Sequence, residues 1–83
     1  MKFKSTRELE TELRKVTSLK TLQEDITLIS LGETIVVKPL GVGMSGGQKE
    51  IAYLGENNAT SLKVTFTGEG DAITVTEVKL TKR

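Results

Sequence analysis

The chain has 83 residues, with twelve basic and eleven acidic side chains and a formal net charge of +1. This length predicts one small domain, residues 1–83, with a thin hydrophobic core. The sequence has no cysteine and no histidine, which excludes disulfides, thiolate metal sites and the usual base of neutral-pH catalysis. Because small domains often need reinforcement, we expect a protein partner or self-association into a homo-oligomer.

The N-terminal segment is more basic than the rest. Residues 1–20 hold six bases and three acids, net +3, whereas the remaining six bases and eight acids give net −2. Basic segments attract nucleic-acid phosphates, and the candidates here are Lys2, Lys4, Arg7, Arg14, Lys15 and Lys20. The sequence shows neither a membrane-spanning apolar run nor a signal-peptide core. We therefore expect a cytoplasmic protein without membrane contacts.

A helix is predicted near the N-terminus. Ser5 and Glu8 form a capping box. The apolar residues that follow share one helical stripe: Leu9, Leu13 and Val16. This pattern predicts a helix from about Thr6 to about Val16. Beyond Thr17-Ser18 the apolar stripe is rotated, so either the helix is broken there or a second short helix begins. A second capping box, from Thr21 to Glu24, favours the second helix.

Residues 22–37 permit two interpretations. As a helix, Leu22, Ile26 and Ile29 form one face, and Gly32 supplies the C-terminal glycine. As a hairpin, residues 26–31 pair with residues 34–37 across a type II′ turn at Gly32-Glu33. The β-branched content favours the hairpin. In both cases residues 34–38 form a strand, which Pro39 either ends or places at a sheet edge.

The segment from Gly41 to Gly47 holds four of the eight glycines and is predicted to be a flexible loop before a strand at 48–54. Three of its glycines match G-x-G-x-x-G, but that motif needs a following helix to hold a pyrophosphate, and the residues that follow indicate a strand. We therefore predict no cofactor. The loop is interpreted either as a mobile hairpin tip or as an arm that contacts an anion or a partner.

The clearest element is a hairpin from Thr60 to Val75. Its alternation of apolar and polar residues is that of a half-buried strand, and residues 68–71 are predicted to form a four-residue loop. The expected cross-strand pairs are Phe66–Ile73, Val64–Val75 and Leu62–Glu77. The alternation changes phase before Val78. Either a bulge near Thr76-Glu77 returns the following apolar side chains to the core, or the tail leaves the sheet.

Together these elements predict an α+β fold. An N-terminal helix, unbroken or broken near Thr17-Ser18, packs on an antiparallel sheet of four to five strands made of consecutive hairpins.

For function, the sequence favours a small non-enzymatic binding or adaptor protein that acts through protein–protein contacts. Nucleic-acid binding is the alternative. An enzyme using lysine or Asp/Glu chemistry is less favoured, because no serine has a histidine to activate it and no pair of acids stands out. No catalytic or metal-binding residue is therefore predicted. The candidate partner-binding residues are Gly41, Gly43, Met44, Ser45, Gly46, Lys49 and Tyr53.

Overall fold

A computed structural model of the protein describes residues 1–56 and 58–82, with the side chain of Ser45 excepted. Six strands form one curled sheet in chain order. The first two strands are parallel and all the others are antiparallel. In chain order the elements are β1 (Lys2–Phe3), α1 (Thr6–Leu13), α2 (Leu19–Leu22), β2 (Ile26–Ser30), β3 (Glu33–Ser45), β4 (Gln48–Gly55), β5 (Thr60–Glu69) and β6 (Ala72–Lys82).

The predicted fold class is wrong. The sheet has six strands and mixed direction, and the two helices are short, whereas we expected a helix on an antiparallel sheet of four to five strands. Strand β1 was missed because two residues are too few to show an alternation. Parallel strands require a long crossover connection, and the segment from 4 to 25, with both helices, is that crossover.

Helix α1 begins as predicted. The Ser5 Oγ accepts a hydrogen bond from the Glu8 N–H at 3.1 Å, and the Glu8 carboxylate accepts one from the Lys4 N–H at 2.9 Å. The helix ends at Leu13 rather than Val16, although the Val16 side chain still packs against the core. The predicted second helix is confirmed as α2, but it begins at Leu19 and not at the Thr21 capping box.

The hairpin interpretation of residues 26–37 is confirmed, with a different turn. Ser30 pairs with Glu33, so the turn residues are Leu31 and Gly32 rather than Gly32 and Glu33. Both have positive φ, 52° and 77°, as a type I′ turn requires. A type I′ turn matches the twist of the flanking strands. This match outweighs the cost of a positive φ at leucine.

The β5–β6 hairpin is confirmed as an element, but its predicted register is wrong. The turn consists of two residues, Gly70 and Asp71. The pairs are therefore Phe66–Val75, Val64–Val78 and Leu62–Leu80.

The predicted bulge near Thr76-Glu77 is confirmed. The pairing shifts between Thr65 and Phe66, and the Thr76 hydroxyl donates to the Thr65 carbonyl at 3.2 Å. Because of this bulge, Val78 is buried and Leu80 packs against the core.

The glycine-rich segment is a strand except at its last two residues, so the predicted loop is wrong for most of its length. Strand β3 continues through Pro39 to Ser45 and pairs with β4, and the pairing shifts once between Pro39 and Gly41. Only Gly46 and Gly47 form the turn, with φ of 57° and 81°. A prediction based on glycine content failed here because backbone pairing with β4 outweighs the weak strand preference of glycine.

The core lies between one face of the curled sheet and the helices. Helix α1 contacts β1 and β2 at one end of the sheet and β6 at the other, so it bridges the opening that the curl leaves. The helices of the described residues have eight and four residues, which is too short to span a bilayer. The side chains with less than 2% exposure are Tyr53, Phe66, Leu9, Leu13, Leu22, Ile26, Ile51, Leu62 and Val64.

Tyr53 provides a test of this core. Its hydroxyl is buried and donates to the Leu22 carbonyl, and burial raises the pKa of the phenol above its ordinary value. A raised pKa in the folded state means that the stability contributed by this group is present below pH ~10 and is lost as the pH rises through the raised pKa. Tyr53 is the only tyrosine, so tyrosinate absorbance reports it alone. We expect that absorbance to increase only together with the loss of circular dichroism.

The matched variant is Tyr53→Phe. It leaves the Leu22 carbonyl without its partner and should lower the free energy of unfolding by about 1–3 kcal/mol at neutral pH. The difference between the two proteins should shrink at alkaline pH, because only the wild-type phenol ionises on unfolding. Tyrosinate absorbance that increases while the protein is still folded would contradict this account.

Candidate functional site

The most conspicuous surface feature is an open backbone edge on β3. Strand β2 pairs only with Glu33–Val37, whereas β3 continues to Ser45. In the part of the chain that the structure describes, no strand lies on the β2 side of residues 38–45. A strand edge of this kind presents N–H and C=O groups that another strand can pair with.

The side chains along this edge are apolar and exposed. Leu40, Val42 and Met44 are 68%, 43% and 67% exposed. Only two other large hydrophobic side chains of the described residues are this exposed, Ile29 and Leu31. Native edges are usually protected by charges, proline or bulges. Here Lys38, Pro39 and the bulge at Leu40 protect the beginning of the edge, but no charged residue lies from 40 to 47. We call the unprotected part, the backbone from Gly41 to Ser45, the free edge.

The opposite edge of the sheet, on β6, is protected against pairing with another strand. Near its start the Ile73 N–H donates to the Thr17 carbonyl at 3.0 Å, and the Leu19 N–H donates to the Gly70 carbonyl at 2.8 Å. The rest of β6 contains the bulge at Thr76 and three charged residues, at positions 77, 79 and 82. This edge therefore has the usual protection against pairing, which the free edge of β3 lacks.

An open depression on the outer face of the sheet, away from the helices, extends from Leu40, next to the free edge, across β4 and β5 to Lys79 on β6. It has a volume of about 330 Å³, and its apolar side is formed by Leu40, Ala52 and Leu54. A second depression of about 250 Å³ shares Leu40 and Ala52 with it, extends over Gly41 and Gly43, and has Glu50 in its lining. We call the two together the outer trough. The glycines leave the trough open because they have no side chains on this face.

Lysines border the outer trough. Lys63 and Lys79 line it, and they lie directly opposite each other on β5 and β6, an arrangement that costs free energy because like charges repel. Lys38 is paired with Leu54 and therefore lies on the same face. The only ion pair among these three lysines and the described carboxylates joins Lys63 to Glu50 at 3.5 Å. We call Lys38, Lys63 and Lys79 the lysine rim.

The structure brings most of the predicted partner-binding residues together. Gly41, Gly43, Met44 and Ser45 lie on β3 and Gly46 in the turn that follows, although only the backbone of Ser45 is described. The other two predicted residues lie in β4. Lys49 is paired with Met44, and its ammonium donates to the Gly68 carbonyl at 3.1 Å. Tyr53 is 1% exposed, so its side chain lies in the core and is not available to a partner.

The predicted nucleic-acid residues are exposed but do not form a uniform basic surface. Three acids, at positions 8, 10 and 12, lie among them on α1. Lys15 forms an ion pair with Glu12 at 3.5 Å. The positive potential of the segment is therefore reduced in part, from six positive charges to a net charge of +3, which weakens long-range attraction of phosphates.

Comparison with protein-family models, with curated protein sequences and with solved structures finds no match to this chain.

Sequence reasoning missed two residues of the site, Leu40 and Val42. A signal was present, since the run Leu-Gly-Val-Gly-Met from Leu40 to Met44 alternates apolar residues with glycine. Period-two alternation is the mark of a strand. The glycines hid this pattern because they are also the residues most typical of turns.

Proposed function

We propose that this chain is a non-enzymatic protein-binding domain that takes up an extended strand of another protein at the free edge of β3. Binding by strand addition derives its affinity from main-chain hydrogen bonds and its specificity from the side chains that alternate on the two faces. The observation that supports this proposal is the length of β3, which continues well past the end of β2 with exposed apolar side chains and no protecting charge.

The chemistry of the free edge indicates what kind of strand fits. Val42 is paired with the buried Ile51, so Val42 and Met44 point to the helix side of the sheet. Gly41 and Gly43, which alternate with them, face the outer side. Residues of a partner opposite Val42 and Met44 are therefore aliphatic. Residues opposite Gly41 and Gly43 are large, because an aromatic side chain on a neighbouring strand covers the exposed glycine.

A synthetic peptide tests the proposal. We expect the labelled peptide Gly-Ser-Val-Phe-Val-Phe-Ser-Gly to bind the intact chain, with fluorescence anisotropy as the readout. The variant Val42→Lys should weaken binding by roughly tenfold or more, because it removes an apolar contact and places a charge where the peptide would desolvate it. Hydrogen exchange of the chain should slow at the amides of the free edge when the peptide is bound.

The control variant is Ile29→Lys. Ile29 is 44% exposed and Val42 is 43% exposed, but Ile29 lies on β2, away from the free edge. Peptide binding should survive this substitution. Absence of peptide binding to the wild-type chain, or equal loss in both variants, would reject the proposed function. Sedimentation velocity on the same proteins separates the alternative that a second copy of the chain occupies the edge, since self-association would then disappear only in the Val42→Lys variant.

A further inference from the structure

We infer that the strand bound at the free edge runs antiparallel to β3 and carries acidic side chains on its C-terminal side, which lie over the outer trough beside the lysine rim. This inference rests on the proposed function and specifies the chemistry of the partner. Two independent features support it. The first is the position on β3 at which pairing with a partner has to end, and the second is the positive charge of the lysine rim beside that position.

Pro39 sets the limit of pairing. It has no N–H to donate, and the bulge at Leu40 displaces the backbone beside it. A partner strand paired with the free edge therefore has to leave the sheet near Leu40. At that point the side chain of Leu40 forms part of both depressions of the outer trough, so the chain that leaves the edge has an apolar surface to cross.

Direction follows from the sheet. Each neighbouring pair from β2 to β6 is antiparallel, and antiparallel pairing is slightly more stable per residue than parallel pairing. Because β3 runs from Lys38 towards Ser45, an antiparallel partner runs from Ser45 towards Lys38. The residues that reach the outer trough are then those on the C-terminal side of the bound segment.

The positive charge of the lysine rim indicates which side chains the partner carries where it reaches the outer trough. The lysine rim contributes three positive charges, and the one described carboxylate paired with it is that of Glu50, which also lines the second depression. Lys38 and Lys79 form no ion pair with a described carboxylate. Two carboxylates from a partner would relieve the repulsion between the opposed Lys63 and Lys79 and neutralise the remaining charge. A basic or neutral segment would leave that repulsion in place.

The test compares peptides of identical composition. The first is Gly-Ser-Val-Phe-Val-Phe-Ser-Glu-Glu, and the second is its reversed sequence, with the glutamates at the N-terminal end. We expect the first to bind the intact chain about three to ten times more tightly than the second at low salt, which is the range that a few exposed ion pairs supply. This preference should shrink as salt is added, because exposed charges are screened.

Substitutions in the chain identify the lysines that interact with the glutamates of the peptide. Lys79→Gln should remove most of the preference, whereas Lys20→Gln, on α2, should leave it unchanged. Lys79 is preferred to Lys63 because removal of Lys63 would also release Glu50. Equal binding of the two acidic peptides, or a preference that survives Lys79→Gln, would overturn the inference while the neutral peptide still supports the proposed function. If none of the peptides binds, the proposed function itself fails.

Discussion

Replacement of Gly68 by alanine is expected to destabilise the domain by about 3–5 kcal/mol, a large part of the total for a domain of this size. Gly68 has a φ of +89°, which residues with a side chain rarely adopt. A Cβ atom at this position would lie 2.2 Å from the carbonyl oxygen of Ala72. Because that oxygen belongs to the backbone of the paired strand, it moves only if the β5–β6 hairpin opens at its end.

The control for this substitution is Gly43→Ala. Gly43 has no atom within 4 Å of the position of a Cβ, and its φ is outside the left-handed region. We expect no loss of stability there, and a gain of up to about 1 kcal/mol because alanine loses less backbone entropy than glycine in a strand. Urea denaturation followed by circular dichroism measures both. Similar stabilities for the two variants would show that the backbones of β5 and β6 are not in close contact at Gly68.

The second large effect is expected for Phe66→Ala. Phe66 is fully buried and lies between Lys49 on β4 and Val75 on β6, beside the bulge that sets the register of the last strand. Removal of a buried phenylalanine side chain leaves a cavity and costs about 3–5 kcal/mol. Because the core of so small a domain is thin, we expect a substantially unfolded protein at room temperature.

The variant Phe66→Leu separates cavity formation from any special role of the aromatic ring. It keeps most of the apolar volume, so the loss in the free energy of unfolding should be below about 1.5 kcal/mol. The same urea titration is the measurement. If Phe66→Ala were as stable as Phe66→Leu, the side chain would not be part of a packed core, and the burial assigned to β5 would be incorrect.

The candidate site was accessible to sequence reasoning only in part. Glycine content directed attention to the segment from Gly41 to Gly46, which contains the free edge, and Met44 of this segment is 67% exposed. What composition cannot provide is the length of a neighbouring strand. The edge of β3 is open because β2 begins only at Ile26. The position at which β2 begins is set by the crossover through α1 and α2. Tyr53 illustrates the same limit, since its ring is buried and its hydroxyl donates to the carbonyl of Leu22, a residue far away in the sequence.

The sequence by itself determined the local elements whose signals are short-range. These signals are the Ser5 capping box, the alternation from Leu62 to Phe66 and the change of phase before Val78, and each involves residues within a few positions of one another. The change of phase left two alternatives, a bulge near Thr76-Glu77 or a tail that leaves the sheet, and only the structure decided between them. Tertiary structure alone decided the parallel strand β1, the turn at Gly70-Asp71 with the register that follows from it, and the continuation of β3 through its glycines. The physical reason is that a strand is stabilised by hydrogen bonds and side-chain contacts with a neighbour far away in the sequence, whereas a helix cap or an alternating pattern is complete within its own segment.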